Sequence, residues 1–312
     1  MKSLRGDEHM NNSNVINQVI ILFLIIGVGY YAKKRGIINE EINKGLTRLL
    51  LEVTLPLMIV VSFNYSFSQD IMKNMITLFL YSCGIHVFLI FLGYVLYRKR
   101  EDGKREVLRF STVFSNCGFM GYPVLGSLYG NMGVLYAAIF NIPFNIFSWT
   151  FGVMLFTGDK NSKNFKKVFL NPGILSVIVG LAFFIFSIKL PQSIYSSFKL
   201  VGDMTTPLSM IIVGSMLAEV KFMEVFKDKS LYNISFVRLI LVPILTYFLL
   251  FLIKADPMIR NIAVMVEAMP VAATTAIFAE AYNKEPKFAS QVVFVTTLLS
   301  VATIPIIITY LT

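Results

Sequence analysis

Apolar stretches of eighteen or more residues recur along this chain from about residue 15 to its end, and that feature removes most folds from consideration. Each stretch is long enough to cross a hydrocarbon layer of about 30 Å. With 56% hydrophobic and only 15% charged residues, and a mean hydropathy of +0.69, the 312 residues lack the polar surface that a soluble domain of this size exposes. The longest polar interval inside the chain is only about a dozen residues, so no separate soluble domain fits between the apolar stretches. The expected fold class is an all-α integral membrane protein embedded in a lipid bilayer. The formal charge of +10 would suggest nucleic acid in a soluble protein. Here the cations sit in short loops and report topology instead. Residues 1–14 read as a tail whose first ten residues lack the apolar core of a cleavable signal.

Ten spans are expected, at about residues 15–34, 43–63, 72–97, 106–128, 132–156, 172–189, 195–217, 231–253, 258–282 and 288–311. The loops test that count. The odd loops carry eighteen Lys and Arg, among them Lys33, Arg98, Lys160, Lys221 and Lys284, whereas the even loops hold five: Lys73, Lys189, Lys199, Lys254 and Arg260. A missed or extra span would break the phase of that alternation. The positive-inside rule places the odd loops in the cytoplasm, so a multi-pass protein of the cell membrane with both termini outside is expected.

Five spans per half put the second half into the membrane upside down relative to the first. The expected organisation is a first repeat over residues 15–156, a cytoplasmic linker at 157–171 and a second repeat over 172–312. A local echo supports it. Arg48, Glu52, Thr54, Pro56 and Leu57 of span 2 are matched by Lys199, Asp203, Thr205, Pro207 and Leu208 of span 7, at a constant offset of 151 residues.

Spans 4 and 9, partners in such a repeat, are poor material for continuous helices. Span 4 contains Asn116, Gly118, Gly121 and Pro123 within eight residues, and span 9 has Pro270 near its middle with Thr274 and Thr275 beside it. Proline removes a donor and disfavours helical geometry in the residue before it, and each glycine weakens a helix by about 1 kcal/mol relative to alanine. For either span alone a proline kink suffices. Interruptions in both partners point to a midplane binding site, because a broken helix presents unpaired N–H groups that lipid cannot satisfy. Two such positive ends would favour a carboxylate. Asn116 can add an amide donor, Thr274 or Thr275 a hydroxyl, and Gly118 and Gly121 allow close approach.

A charge inside a span costs about 2.5–3.5 kcal/mol on insertion scales and needs a partner or a function. Glu267 reads either as a proton- or cation-coupling carboxylate or as an acid that hydrogen-bonds the partner break. Glu52 and Asp203 read first as i,i+4 partners of Arg48 and Lys199. Arg238 would neutralise one of the acids or meet an anionic substrate. His86 reads as a packed helix residue. Asn145 and Trp149 share a face of span 5, and either could line a substrate cavity. No zinc-protease, nucleophile-elbow or P-loop motif occurs, so neither an enzyme nor a cofactor is expected.

The run Asn116 to Pro123, the Ala268-Met269-Pro270 segment followed by Ala279 to Asn283, and Asn171-Pro172 resemble the auxin efflux carrier family, with its plant PIN-FORMED transporters and bacterial organic-acid permeases. The resemblance implies spans 4 and 9 crossed at their proline breaks, with Asn116, Pro123 and Pro270 at the crossing. It implies a scaffold of spans 1, 2, 6 and 7, a transport bundle of spans 3–5 and 8–10, elevator-type motion and a homodimer. The short fifth loop fits a compact permease and counts against auxin itself, and the resemblance implies a secondary transporter of small organic anions such as dicarboxylates or auxin-like acids. Competing readings are a sodium-coupled symporter of the bile-acid type, which would cluster more Glu, Gln and Asn at the crossing, and a receptor, which would need a larger output surface.

Overall fold

The computed structural model describes residues 12–100, 103–158, 170–218 and 228–311. Among these the chain is helical, with no strand beyond one isolated bridge. The helices are α1 (Asn12–Lys34), α2 (Glu40–Ser62), α3 (Gln69–Leu96), α4 (Arg105–Val113), α5 (Cys117–Thr157), α6 (Pro172–Ile185), α7 (Gln192–Leu217), α8 (Lys229–Leu252), α9 (Pro257–Glu267), α10 (Thr274–Ala281) and α11 (Pro286–Leu311). Their starts follow local chemistry. Asn39, Ser68, Asn171, Asp228 and Asp256 each accept a first-turn N–H through the side chain, which satisfies an otherwise orphaned donor.

Six helices (α2, α3, α5, α7, α8 and α11) are long and apolar enough to cross a membrane by length and composition. The sequence leads one to expect ten crossings, and the difference has visible causes. The 41-residue α5 is not one rod. At Gly130 the backbone turns to φ 56°, ψ −144°, and a Cβ on Gly133 would stand 2.2 Å from the Leu125 carbonyl oxygen. Residues eight apart in a straight helix lie about 12 Å apart along the axis, so the chain folds back there. Of the other expected spans, α1 has 23 residues and α6 only 14, while the ninth is cut into α9 and α10. The cations Lys160, Lys163, Lys166, Lys167, Lys221 and Lys227 lie outside the described residues, with most of the expected tail and linker.

Three of the four π-helical turns, Leu50–Thr54, Cys117–Gly121 and Val237–Leu241, end two residues before Pro56, Pro123 and Pro243. Proline has no N–H and crowds the carbonyl four residues back, so a widened turn just before it relieves both problems. The echoed segments also carry their charges as expected, with Arg48–Glu52 at 3.1 Å and Lys199–Asp203 at 2.7 Å.

Glycines set how the helices meet. A Cβ on Gly29 would stand 2.1 Å from the Ile211 carbonyl oxygen, and one on Gly214 would stand 2.0 Å from that of Ile26. The α1 and α7 backbones therefore touch at two glycines, one from each helix, the close approach that small residues permit between membrane helices. Gly180 of α6 accepts the Phe63 ring at the end of α2, and Gly202 of α7 lies against the Met58 backbone. A second set of contacts ties α3, α5, α8, α9 and α11 around the two breaks. Ser82 of α3 donates to the Phe140 carbonyl of α5 (2.8 Å), and Asn74 donates to the Tyr136 hydroxyl (3.3 Å).

Candidate binding site at the crossed helix breaks

α4 stops at Val113 because Phe114 is extended (φ −104°, ψ 109°). The chain becomes helical again only after Asn116, whose Oδ1 accepts from the Phe119 N–H at 3.2 Å. α9 stops at Glu267, just ahead of Pro270, and α10 starts at Thr274. The two non-helical runs lie antiparallel. Asn116 donates its N–H to the Pro270 carbonyl (2.7 Å), Ala272 donates to the Phe114 carbonyl (3.0 Å), and Ser115 faces Val271. The buried Val271 N–H is taken by the Thr296 hydroxyl of α11 at 3.2 Å. These bonds answer the main cost of breaking a helix in lipid, which is orphaned backbone polar groups.

The crossing has two kinds of helix end. The carbonyl ends of α4 and α9 converge on Arg238, which is fully buried in α8. Its Nη1 donates to the Thr112 carbonyl (3.0 Å), its Nε to the Met269 carbonyl (3.2 Å), and its Nη2 to both the Glu267 carbonyl and the Glu267 carboxylate. One guanidinium thus neutralises the negative ends of both half-helices and an acid. Its rigid fork of donors suits that work better than a lysine would.

The N–H ends are left differently. Among the described residues, nothing accepts from the amides of Cys117 and Gly118 at the start of α5, or from those of Ala273 and Thr274 at the start of α10. The Thr274 and Thr275 hydroxyls are buried without a hydrogen-bond partner, as is the second carboxylate oxygen of Glu267. A Cβ on Gly118 would meet nothing within 4 Å, so this backbone borders open space, whereas Gly121 faces Cys117 and Met269. Pro123 is buried two residues beyond the π turn that follows Asn116. Aromatic rings wall one side, with Phe114 against Phe110 at 4.3 Å and against Phe144 at 5.4 Å. Burial of the surrounding groups strengthens fixed dipoles. Each helix start contributes about 0.3–1 kcal/mol toward an anion when exposed and up to about 2 when partly buried.

Of the residues singled out from the sequence, Asn116, Pro123, Gly118, Gly121, Pro270, Thr274, Thr275 and Glu267 lie at or beside the two breaks. Asn145 does not point its polar atoms there. Its amide donates to the Asn141 carbonyl (2.8 Å), and its Oδ1 accepts from Asn171, the cap of α6, at 3.1 Å. The nearer amide is Asn141, one turn earlier, whose Oδ1 accepts from the Cys117 thiol at 2.7 Å. Trp149 packs edge-on to Phe278 of α10 at 5.1 Å. His86 packs as expected, among Phe114, Phe140, Phe144 and Phe147, with Nδ1 2.7 Å from the Ser82 carbonyl. Thr296 escapes sequence reasoning because a threonine in an apolar helix ordinarily bonds its own preceding turn, which this one also does.

Residues 14–308 match the family model described as membrane transport protein. An uncharacterized transporter of Methanocaldococcus jannaschii is 28% identical over 305 residues, covering 92% of this chain and 95% of the relative. An uncharacterized transporter of Escherichia coli is 23% identical, covering 93% and 96%. A putative malonate transporter of Rhizobium meliloti is 24% identical over 226 residues, covering 69% and 70%.

Proposed function

The chain belongs to the membrane transport protein family, that of the auxin efflux carriers, and from that premise we propose that it is a secondary carrier of small organic anions bound between the starts of α5 and α10. One observation carries the reading. At the crossing, four backbone amides and two threonine hydroxyls lack acceptors, while Arg238 occupies the opposite helix ends. A carboxylate supplies the acceptors those groups need, and the helix starts favour its charge. Asn116 holds the first start in shape through Oδ1 and turns its Nδ2 to the substrate. Gly118 lets the carboxylate reach the backbone. A dicarboxylate fits two facing helix starts, one carboxylate to each, and the malonate assignment of the distant Rhizobium relative is in keeping with that chemistry.

In this reading α1, α2, α6 and α7 form a fixed scaffold, locked by Gly29 against Ile211, by Gly214 against Ile26, and by Gly180 and Gly202. The bundle of α3–α5 and α8–α11 carries the site across by an elevator movement. Ten crossings in two inverted repeats, outward termini and a homodimer complete the proposal. The Asn145–Asn171 hydrogen bond spans bundle and scaffold, and it must break and re-form as the bundle moves. Glu267 is the candidate coupling group. Its carboxylate shares Arg238 with both helix ends, so a proton on Glu267 would loosen the guanidinium that fixes the crossing.

Uptake of labelled malonate, longer dicarboxylates and indole acids into proteoliposomes, with and without imposed proton or sodium gradients, tests the function. Accumulation of a dicarboxylate that is lost in Thr274→Val/Thr275→Val supports it. Failure of every acid to bind or cross removes it. For Glu267→Gln, wild-type rates with the same pH dependence would exclude Glu267 from coupling.

A further inference from the structure

A second candidate site lies away from the crossing, on the lipid-facing side of α8. Between α8, α9 and the last turns of α11 runs an apolar groove of about 440 Å³, lined by Ile240, Ile244, Tyr247, Phe248, Ile306 and Tyr310 among others. The α8 residues that line it run from Leu239 to Phe248, over which the helix axis rises about 14 Å, room for most of an extended acyl chain. An uncharged groove of this kind would accept any lipid tail. What distinguishes this one is its end. Arg260 of α9 lies over the Tyr247 ring, 4.9 Å from its centroid, and 5.8 Å from that of Phe251. Its Nε is buried with no hydrogen-bond partner. The neighbouring Asn261 donates to the Leu311 carbonyl at 2.8 Å, and its Oδ1 is likewise buried without a partner. Tyr247 and Leu311 both line the groove, so a donor-bearing cation and an unanswered acceptor stand at the same end of one apolar channel.

A guanidinium held on aromatic faces with an idle N–H is suited to a phosphate or other oxyanion. We propose that this groove binds one anionic phospholipid, with an acyl chain along α8 and the headgroup phosphate at Arg260. A headgroup that also carries a hydroxyl, as phosphatidylglycerol does, can donate to Asn261 Oδ1 and satisfy both idle groups at once. The groove rests on Val264 of α9 and Leu239 of α8, the residue after Arg238, so an occupant braces the helices that carry the crossing.

The test is native mass spectrometry of the purified full chain, released from detergent containing equal amounts of phosphatidylglycerol and phosphatidylcholine. Wild type should retain one phosphatidylglycerol about fivefold in preference to phosphatidylcholine, the size expected for one juxtamembrane cation. Arg260→Gln should abolish the preference while a lipid is still retained. Ile244→Trp should lose the bound lipid whatever its headgroup. Ile244 is half exposed to the bilayer, so the larger ring is tolerated by the fold, and Ile306→Trp at the opposite wall serves as the second blocking variant. No headgroup preference in wild type, or a preference that persists in Arg260→Gln, overturns the proposal. If blocking changes the mass of the protein assembly and leaves lipid retention intact, a second copy of the chain occupies the groove and the proposal falls.

Discussion

The break after Val113 and the break after Glu267 exchange the same pair of backbone hydrogen bonds, yet they are completed by opposite means. Apart from the Thr112 carbonyl, which Arg238 takes, the first is finished from within. Asn116 caps the new helix, a π turn absorbs Pro123, and the Cys117 thiol is held by Asn141. The second is finished from outside. Its amide at Val271 depends on Thr296 of α11, its carbonyls depend on Arg238 of α8, and α10 begins without a side-chain cap. A break capped mainly from its own segment depends less on its neighbours, whereas a break held mainly by other helices responds when those helices move. The second also offers the two idle hydroxyls, Thr274 and Thr275. On this view the first break is the fixed jaw of the site and the second is the adjustable one.

Removing Arg238 should do the most damage. Arg238→Met leaves Glu267 and three carbonyls buried without a partner and should cost about 3–5 kcal/mol, read as a large fall in thermal midpoint in detergent. Arg238→Met with Glu267→Met should recover part of that loss. Full recovery would mean that the helix-end carbonyls contribute little. Thr296→Val orphans the Val271 N–H and should cost about 1–3 kcal/mol, and it should loosen the second break alone. Hydrogen exchange that rose equally at Phe114–Asn116 would erase the proposed difference between the jaws. Asn116→Ala removes a cap worth about 0.5–2 kcal/mol and should weaken substrate binding as well. Asn116→Asp keeps the cap but sets a negative charge beside the anion, so stability should hold while affinity falls. Equal loss of stability in both variants would contradict the capping role.

Much of the first break was readable because its causes are local. Asn, two Gly and Pro within eight residues announce a helix that stops and restarts, and the offset pairs Arg48–Glu52 and Lys199–Asp203 follow from i,i+4 spacing. The second break is legible only as Pro270 with nearby hydroxyls, since its partners are far off in the chain. Nothing near Glu267 says that Arg238 reaches it, because 29 positions separate them and the link exists only once α8 and α9 pack. Asn145 illustrates the same limit. Its helical face is readable, but its occupation by Asn171 comes from how α6 docks. The reversal expected between spans 4 and 5 falls at Gly130, inside α5.

The smallest expected effect concerns a membrane-surface tie between the starts of α4 and α8. Lys104, which precedes α4, pairs with Asp228, the cap of α8, at 2.6 Å. Burial pushes the Asp228 carboxyl up, but the hydrogen bonds from Lys104 and Ser230 and the Lys104 charge outweigh it and hold the group below its ordinary value. A carboxyl with a depressed folded value contributes stability above its unfolded value of about 3.9 and loses it as pH falls through the folded one. Wild type should therefore lose thermal stability on acidification below about pH 4, and Asp228→Asn should lose less. Identical acid profiles would remove this tie from the account.

The central claim is that the idle donors at the starts of α5 and α10 hold an anion, and calorimetric titration of a small dicarboxylate into the purified protein tests it most directly. Wild type should bind it. Thr274→Val/Thr275→Val should bind it at least about tenfold more weakly, two charge-assisted hydrogen bonds being worth that much or more, with an unchanged thermal midpoint because no protein partner is lost. Equal affinity in the two proteins would contradict the claim.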